Sequence, residues 1–228
     1  MKLALFDLDG TLLPFDSDHA WGQFTHTLGW TDWADFKARN DAYYLRYQAG
    51  TLDVHDYVRF ATEAMRRQSA QAALQARALF MQNIVQPAIG PAALALVQGH
   101  QRLNDGVIIV TATNEFVTRP IAEAFGVAEL IAVELVHATA DAAGANWITG
   151  EIKGTPSFRA GKVARVAQWL QAHQLAWQDV ELTFYTDSIN DLFLLEKVNH
   201  PVAVNPDQQL RAVALARGWR ILELFKAD

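Results

Sequence analysis

Near its start the chain carries the stretch LALFDLDGTLL, in which an apolar run ends in two carboxylates, Asp7 and Asp9, one residue apart. Extended residues two apart face the same side, so both acids project into one space and repel each other. Three later stretches, VIIVTATN, FRAGKVARV and LTFYTDSIND, add Thr111 and Asn114, then Lys162, then Asp187, Ser188, Asn190 and Asp191. Carboxylates that converge in a crevice repel strongly, and desolvation raises their pKa values. A hard divalent cation relieves this, and Mg2+ takes oxygen ligands while keeping several waters. A lysine among the acids and a hydroxyl at a strand end then hold the remaining oxygens of a phosphoryl group. In such a site one carboxylate of the pair attacks phosphorus and forms an aspartyl phosphate. The second, with a raised pKa, protonates the leaving oxygen and later deprotonates the attacking water. Gly10 permits the tight turn that follows, and the Thr11 hydroxyl orders it.

Taken singly, each feature has a plainer reading. An isolated Asp-x-Asp is common, and a lone lysine such as Lys162 is ordinarily a surface residue. Asp187 and Asp191 alone would suit a helix N-terminus, where negative charge complements the dipole. Their order along the chain joins them, because the acids and the hydroxyl each fall at the carboxyl end of a predicted strand.

Those strands are short apolar runs at residues 3–8, 107–111, 130–136, 182–186 and 202–204, each bounded by a turn signal. Runs of this kind are strands buried on both faces. Helical patterns over 91–103, 116–125, 161–173 and 191–198 alternate with them. The alternation predicts an α/β fold: a Rossmann-like, doubly wound, mostly parallel sheet that binds ligands beyond the carboxyl ends of its strands. Residues 15–86 break the pattern, with no convincing strand and many aromatics. They read as about four helices inserted after the first strand, with Ser69 an N-cap. The division expected is a core of 1–14 and 87–228 and a helical unit of 15–86. NWITGEIK, at 146–153, alternates loosely and reads as a small hairpin arm beside the sheet.

Composition narrows the function classes. The 228 residues are 51% hydrophobic and 19% charged, with net charge −6 and no cysteine. Thiolate metal sites, disulfides and a cysteine nucleophile are excluded. No basic run marks a nucleic-acid or anionic-membrane partner. Only four apolar residues separate Lys2 from Asp7, short of the roughly 7–15 of a secretory signal. No stretch approaches the roughly 18 apolar residues of a membrane span. The expectation is a soluble, cytoplasmic protein. The seven histidines are scattered, with His19 the one near Asp7 and Asp9.

DLDGTL at residues 7–12, VTATN at 110–114, GK at 161–162 and TDSIND at 186–191 resemble the four ordered motifs of the haloacid dehalogenase (HAD) superfamily of phosphohydrolases. The resemblance spans nearly the whole chain and is greatest to the phosphoserine-phosphatase-like branch, subfamily IB; the insertion looks like a C1-type cap. It implies a Mg2+-dependent phosphatase acting on a small phosphorylated metabolite. Asp7 would be the nucleophile and Asp9 the general acid and base. Thr111 and Ala112 would bind the phosphoryl oxygens, and Lys162 would neutralise charge on the phosphoaspartate. Asp187 would ligate Mg2+ with Asp7 and the backbone carbonyl of Asp9. Asp191 would hold the metal's waters or Lys162, with Asn190 nearby. The acid at the second position, absent from HAD dehalogenases and P-type ATPases, favours phosphomonoester hydrolysis.

In phosphoserine phosphatases an acid soon after the first motif and a cap arginine bind the substrate's amino and carboxylate groups. Here Asp16, with Asp18 as competitor, and Arg59 take those places. The chain departs from that pattern in having Asp rather than Glu, and TATNEF in place of a Gly-Gly stretch. Some relatives of the branch are assigned to histidinol phosphate, which has an amine and an imidazole but no carboxylate. Asp16, Asp18, Trp21 and Tyr47 suit such a cation, against a plainer reading of the aromatics as bundle core. A phosphotransferase or phosphomutase would use the same aspartyl phosphate. A receiver-type phospho-accepting module would be about half this length, without the insertion or Asp9.

Overall fold

The structure is a computed structural model and describes residues 1–142 and 144–225. Strand β1 (Lys2–Phe6) sends Ala4 and Phe6 to one face and Leu3 and Leu5 to the other, all buried. The chain then enters helices α1 (Ser17–Thr27), α2 (Trp33–Gln48), α3 (Val54–Ala61), α4 (Glu63–Arg66) and α5 (Ala70–Phe80). Four of these start where the sequence offers a capping oxygen. Asp16, Asp32, Asp53 and Ser69 each accept a first-turn N–H, the arrangement that satisfies otherwise orphaned donors. α5 widens into a π turn, Met81–Val85, and ends in the short α6 (Gln86–Ala88). Pro87 lies just beyond that turn, and its missing N–H and bulky ring disfavour regular α-helical pairing there.

The alternation resumes with α7 (Pro91–Arg102), β2 (Gly106–Asn114), α8 (Glu115–Ala124) and β3 (Glu129–Val133). It continues through β4 (Leu135–His137), β5 (Ile148–Ile152), α9 (Ala160–Ala172) and β6 (Glu181–Thr186). A 3-10 turn, Ile189–Asp191, leads into α10 (Leu192–Leu195), β7 (His200–Val204), α11 (Gln208–Arg217) and β8 (Arg220–Leu222). Among the described residues, six strands pair in parallel in the order β3-β2-β1-β6-β7-β8. Phe6 lies level with Ile109 of β2 and Tyr185 of β6, so β1 and β6 end within a residue of each other while β2 runs on to Asn114.

Helices cover both faces. Ala93 and Val97 of α7, with Val117 and Ile121 of α8, join Phe6 and Ile109 on one side. Val166 and Leu170 of α9 and Leu210 and Ala214 of α11 join Leu5 and Phe184 on the other. Each fully buried Val, Leu, Ile or Phe among these contributes about 1.5–3 kcal/mol, which anchors the strands that deliver the acids. No single helix among the described residues is long and apolar enough to cross a membrane.

The structure departs from the sequence reading at three places. The run at 130–136 is two strands: β3 stays in the sheet, while β4 leaves it to pair antiparallel with β5. Glu134 marks the break, bonded through its side chain to Arg165 and through its carbonyl to the Lys153 N–H. The arm at 146–153 is therefore one strand of a ribbon rather than a hairpin by itself. The helix expected at 191–198 is shorter, Leu192–Leu195, and Asp191 lies in the 3-10 turn before it with its side chain on Lys162. α11 and β8 extend the fold beyond the elements read from the sequence.

Candidate active site

β1 and β6 end side by side, β2 passes beside them and runs on to Asn114, and α9 starts nearby. This puts Asp7, Thr111, Lys162 and Asp187 around one cavity of about 590 Å3, whose other wall comes from α2 and α3. Lys162 is 2% exposed, and its Nζ donates to Asp7 Oδ1 at 3.0 Å and to Asp191 Oδ2 at 2.7 Å. The Thr186 hydroxyl also donates to Asp191 Oδ2, at 2.7 Å. Asp191 thus fixes the lysine, and the lysine fixes the first acid. Gly161 permits this, because a Cβ there would overlap the Pro156 carbonyl and push away the first turn of α9.

Asp9 is held on both oxygens. The Ser17 N–H at the start of α1 donates to Oδ1 at 2.9 Å, and the Thr113 hydroxyl donates to Oδ2 at 2.8 Å. Thr111 Oγ1 accepts the Thr113 N–H at 3.1 Å, which leaves its hydroxyl proton for a ligand. Asp187 accepts from Thr11 at 3.3 Å. Gly10 sits against Asp187 with φ +70°, and a Cβ there would overlap the carboxylate.

Burial dominates the electrostatics. It pushes Asp7 up to about 6, with Lys162 pulling the other way and Asp191 adding repulsion. Burial and the neighbouring Asp16 push Asp9 up to about 7. Burial, then Asp7 and Asp191, hold Asp187 well above the carboxylate range. Burial alone would lower the Lys162 ammonium, but Asp191 and Asp7 carry it above its usual value. Among the described residues no group of three acid or imidazole side chains is gathered tightly enough to hold an ion unaided. The donors that do converge are all oxygen: Asp7 and Asp187, which line the cavity together with Asp9. One or two carboxylates plus carbonyl and water is the sparse ligation a hard divalent cation accepts.

The residues expected to read the substrate are not all brought here. Asp16 lines the cavity while capping α1 through the His19 N–H at 2.9 Å. Asp18 is buried beside it, bonded to Asn114 Nδ2 at 2.9 Å, and burial, Asp16 and Asp9 raise its pKa. Trp21 lies instead in the apolar core, its ring against Phe24, Phe80 and Phe116. Arg59 is directed to the surface, where Asp56 and Glu151 pair with it. Asn190 turns its amide to the Tyr47 carbonyl at 3.4 Å rather than to the acids. Tyr47 bonds Ser188 Oγ at 2.7 Å and lines the cavity with Tyr43, Tyr44, Tyr57 and Asn40. Apart from Lys162, no lysine, arginine or histidine lines the cavity among the described residues.

Sequence reasoning gave no role to Thr113, Thr186 or Tyr57. Thr113 had a signal, since it stands two residues after Thr111 on the same side of a strand. Thr186 likewise precedes Asp187 at a strand end. Tyr57 had none beyond its place in an aromatic-rich segment.

A model of the haloacid dehalogenase-like hydrolases matches residues 4–196. A histidinol-phosphatase of Neisseria meningitidis serogroup C is 38% identical over 222 residues, covering 97% of this chain and 98% of that protein. A crystal structure of a protein of unknown function from Bordetella pertussis Tohama I superposes with a TM-score of 0.90 at 43% identity, covering 98% of this chain and 99% of that one. A substrate-bound phosphoserine phosphatase shares the fold, with a TM-score of 0.67 at 15% identity over 100% of this chain and 94% of that one.

Proposed function

This chain belongs to the haloacid dehalogenase-like hydrolase family, and from that premise we propose that it is a Mg2+-dependent phosphatase of a small phosphomonoester whose alcohol carries a cation and no carboxylate. The observation that carries the reading is the Asp7–Lys162–Asp191 array at 3.0 and 2.7 Å, facing Asp9 across one cavity. Asp7 attacks phosphorus and the P–O bond to the alcohol breaks, leaving an aspartyl phosphate. Asp9 gives its proton to the departing oxygen, then takes one from the water that attacks the aspartyl phosphate. A carboxyl with a pKa of about 7 suits both directions of that transfer near neutral pH. The Thr111 hydroxyl and the Ala112 N–H hold phosphoryl oxygens, and Lys162 offsets their charge. Asp7, Asp187 and the Asp9 carbonyl would hold Mg2+, which supplies further positive charge at the phosphoryl group. The helices at 15–86 serve as a cap that closes over the site and excludes polymers.

The character of the alcohol follows from what lines the cavity. Among the described residues the one cation lining it, Lys162, is occupied by two carboxylates, so a substrate carboxylate finds no free side-chain counter-ion there. An ammonium or imidazolium meets Asp16 and the faces of Tyr43, Tyr47 and Tyr57, a combination that attracts cations. Histidinol phosphate has this chemistry, whereas phosphoserine carries a carboxylate that would stay unpaired. The test compares kcat/KM for histidinol phosphate and phosphoserine after EDTA treatment, with and without added Mg2+. Turnover that returns with Mg2+ and favours histidinol phosphate by at least about 10²-fold, the scale set by one unpaired buried charge, is expected. Equal rates on both, or turnover that survives EDTA, would overturn the reading.

A further inference from the structure

Arg159 has φ 52° and ψ −124°, a combination that glycine adopts and residues with a side chain avoid. Strain of this kind persists where the surroundings hold it, and it concentrates at functional sites. What holds Arg159 comes from far away in the chain. Its Nη1 donates to the Gly50 carbonyl at 2.6 Å, just past the end of α2. Its guanidinium also lies over the Phe193 ring, 5.9 Å from the centroid. In the other direction, the Arg159 carbonyl accepts the Lys162 N–H at 3.0 Å. One residue therefore ties the tip of α2 to the turn that launches the site's lysine.

α2 depends on such ties. Of its 16 residues only Phe36 is buried, so little apolar packing fixes it, and weakly packed elements open most readily. Its far end meets the sheet-edge loops through Tyr47 on Ser188 at 2.7 Å, Asn190 on the Tyr47 carbonyl at 3.4 Å and Arg159 on Gly50. Phe158, next to Arg159, faces the Tyr47 ring at 6.1 Å, and both line the cavity.

We propose that Arg159 is a positioning residue: its guanidinium latches the end of α2 over the cavity and, through the strained turn, sets the aim of Lys162. With the latch made, the turn is held strained and Lys162 points between Asp7 and Asp191. With it broken, that end of α2 keeps only the Tyr47 bonds to Ser188 and Asn190 and opens more readily, and the turn relaxes. The kinetic consequence rests on the phosphatase reading; the coupling between α2 and the turn does not.

Arg159→Gly tests this in the full chain, because glycine removes the guanidinium and the backbone strain together. Amide hydrogen exchange over residues 45–51, more than 100 positions away, is measured without substrate. It should quicken at least about fivefold when a charge-assisted hydrogen bond is lost. The melting temperature should not fall below that of Arg159→Ala, whose Cβ still disfavours the backbone conformation of the folded turn. With Mg2+, kcat should drop about tenfold on 4-nitrophenyl phosphate and histidinol phosphate alike, and Arg159→Lys should restore part of it. Unchanged exchange at 45–51 overturns the latch whether or not the protein hydrolyses phosphomonoesters. Normal kcat in Arg159→Gly overturns its link to Lys162. A wild-type protein inert toward every phosphomonoester would instead overturn the phosphatase reading, and the exchange result would still judge the latch.

Discussion

Replacing Asp9 by asparagine should stabilise the protein while crippling its turnover. A carboxyl that rises from 3.8 to about 7 on folding binds more protons folded than unfolded between those values. Stability then declines as pH climbs from about 4 to 7 and stays low above it. The rise spans about 3 pH units, or about 4 kcal/mol at 1.36 kcal/mol each. That is a ceiling for two reasons. Asp9 opens onto the cavity and is not fully buried, so solvent screens part of the cost. Asparagine also keeps one acceptor where the carboxylate had two, so either the Ser17 N–H or the Thr113 hydroxyl loses its partner, at about 1.5–3 kcal/mol for a bond to a charged group. The net gain expected for Asp9→Asn at pH 8 is about 1–2 kcal/mol, or about 4 °C in melting temperature for a chain of this size. Urea unfolding of both proteins in EDTA, at pH 8 and at pH 4.5, measures it. The gain should be largest at pH 8 and shrink toward pH 4.5, while turnover falls by roughly 10²–10⁴. An Asp9→Asn protein less stable than wild type at pH 8, or a difference that ignores pH, would refute the account of burial at this acid.

Two further substitutions bear on the geometry. Arg59→Ala should leave KM for histidinol phosphate and for an aryl phosphate within about twofold of wild type, since Arg59 pairs with Asp56 and Glu151 at the surface and does not line the cavity and exposed pairs hold little in place; a large rise confined to histidinol phosphate would put Arg59 back at the substrate. Gly10→Ala combines φ +70° with overlap onto Asp187, so it should cost at least about 1–2 kcal/mol and raise the Mg2+ concentration needed for half-maximal turnover; a protein with normal Mg2+ response would show that Asp187 is not set against Gly10 in solution.

Much of the site was legible before the fold because it is written in periods and strand ends. Asp7 and Asp9 share a face by alternation, and the parallel order of β2, β1 and β6 brings Thr111 and Asp187 to them. Lys162 follows from the helix that crosses back over the sheet. The helical insertion was harder to read. Tyr57 faces the cavity and Arg59 leaves it although they stand two residues apart on α3. Which of them points inward depends on how α3 rolls against β5, and Arg59's partner Glu151 lies 92 residues away. Trp21 followed its apolar surroundings into the core, as aromatic residues on a packed helix do. The break between β3 and β4 hinges on Glu134 meeting Arg165, a pairing no local pattern announces. Arg159 could not be found from sequence at all, because strain shows only in the backbone angles.

The central claim is that Asp7 carries the phosphoryl group between the alcohol and water. Steady-state hydrolysis of 4-nitrophenyl phosphate and histidinol phosphate by Asp7→Asn, in saturating Mg2+ beside the wild-type protein, tests it most directly. Wild-type turnover on both substrates and none above background for Asp7→Asn are expected, with the variant still folded by circular dichroism. Turnover by Asp7→Asn at a rate near that of wild type would contradict it.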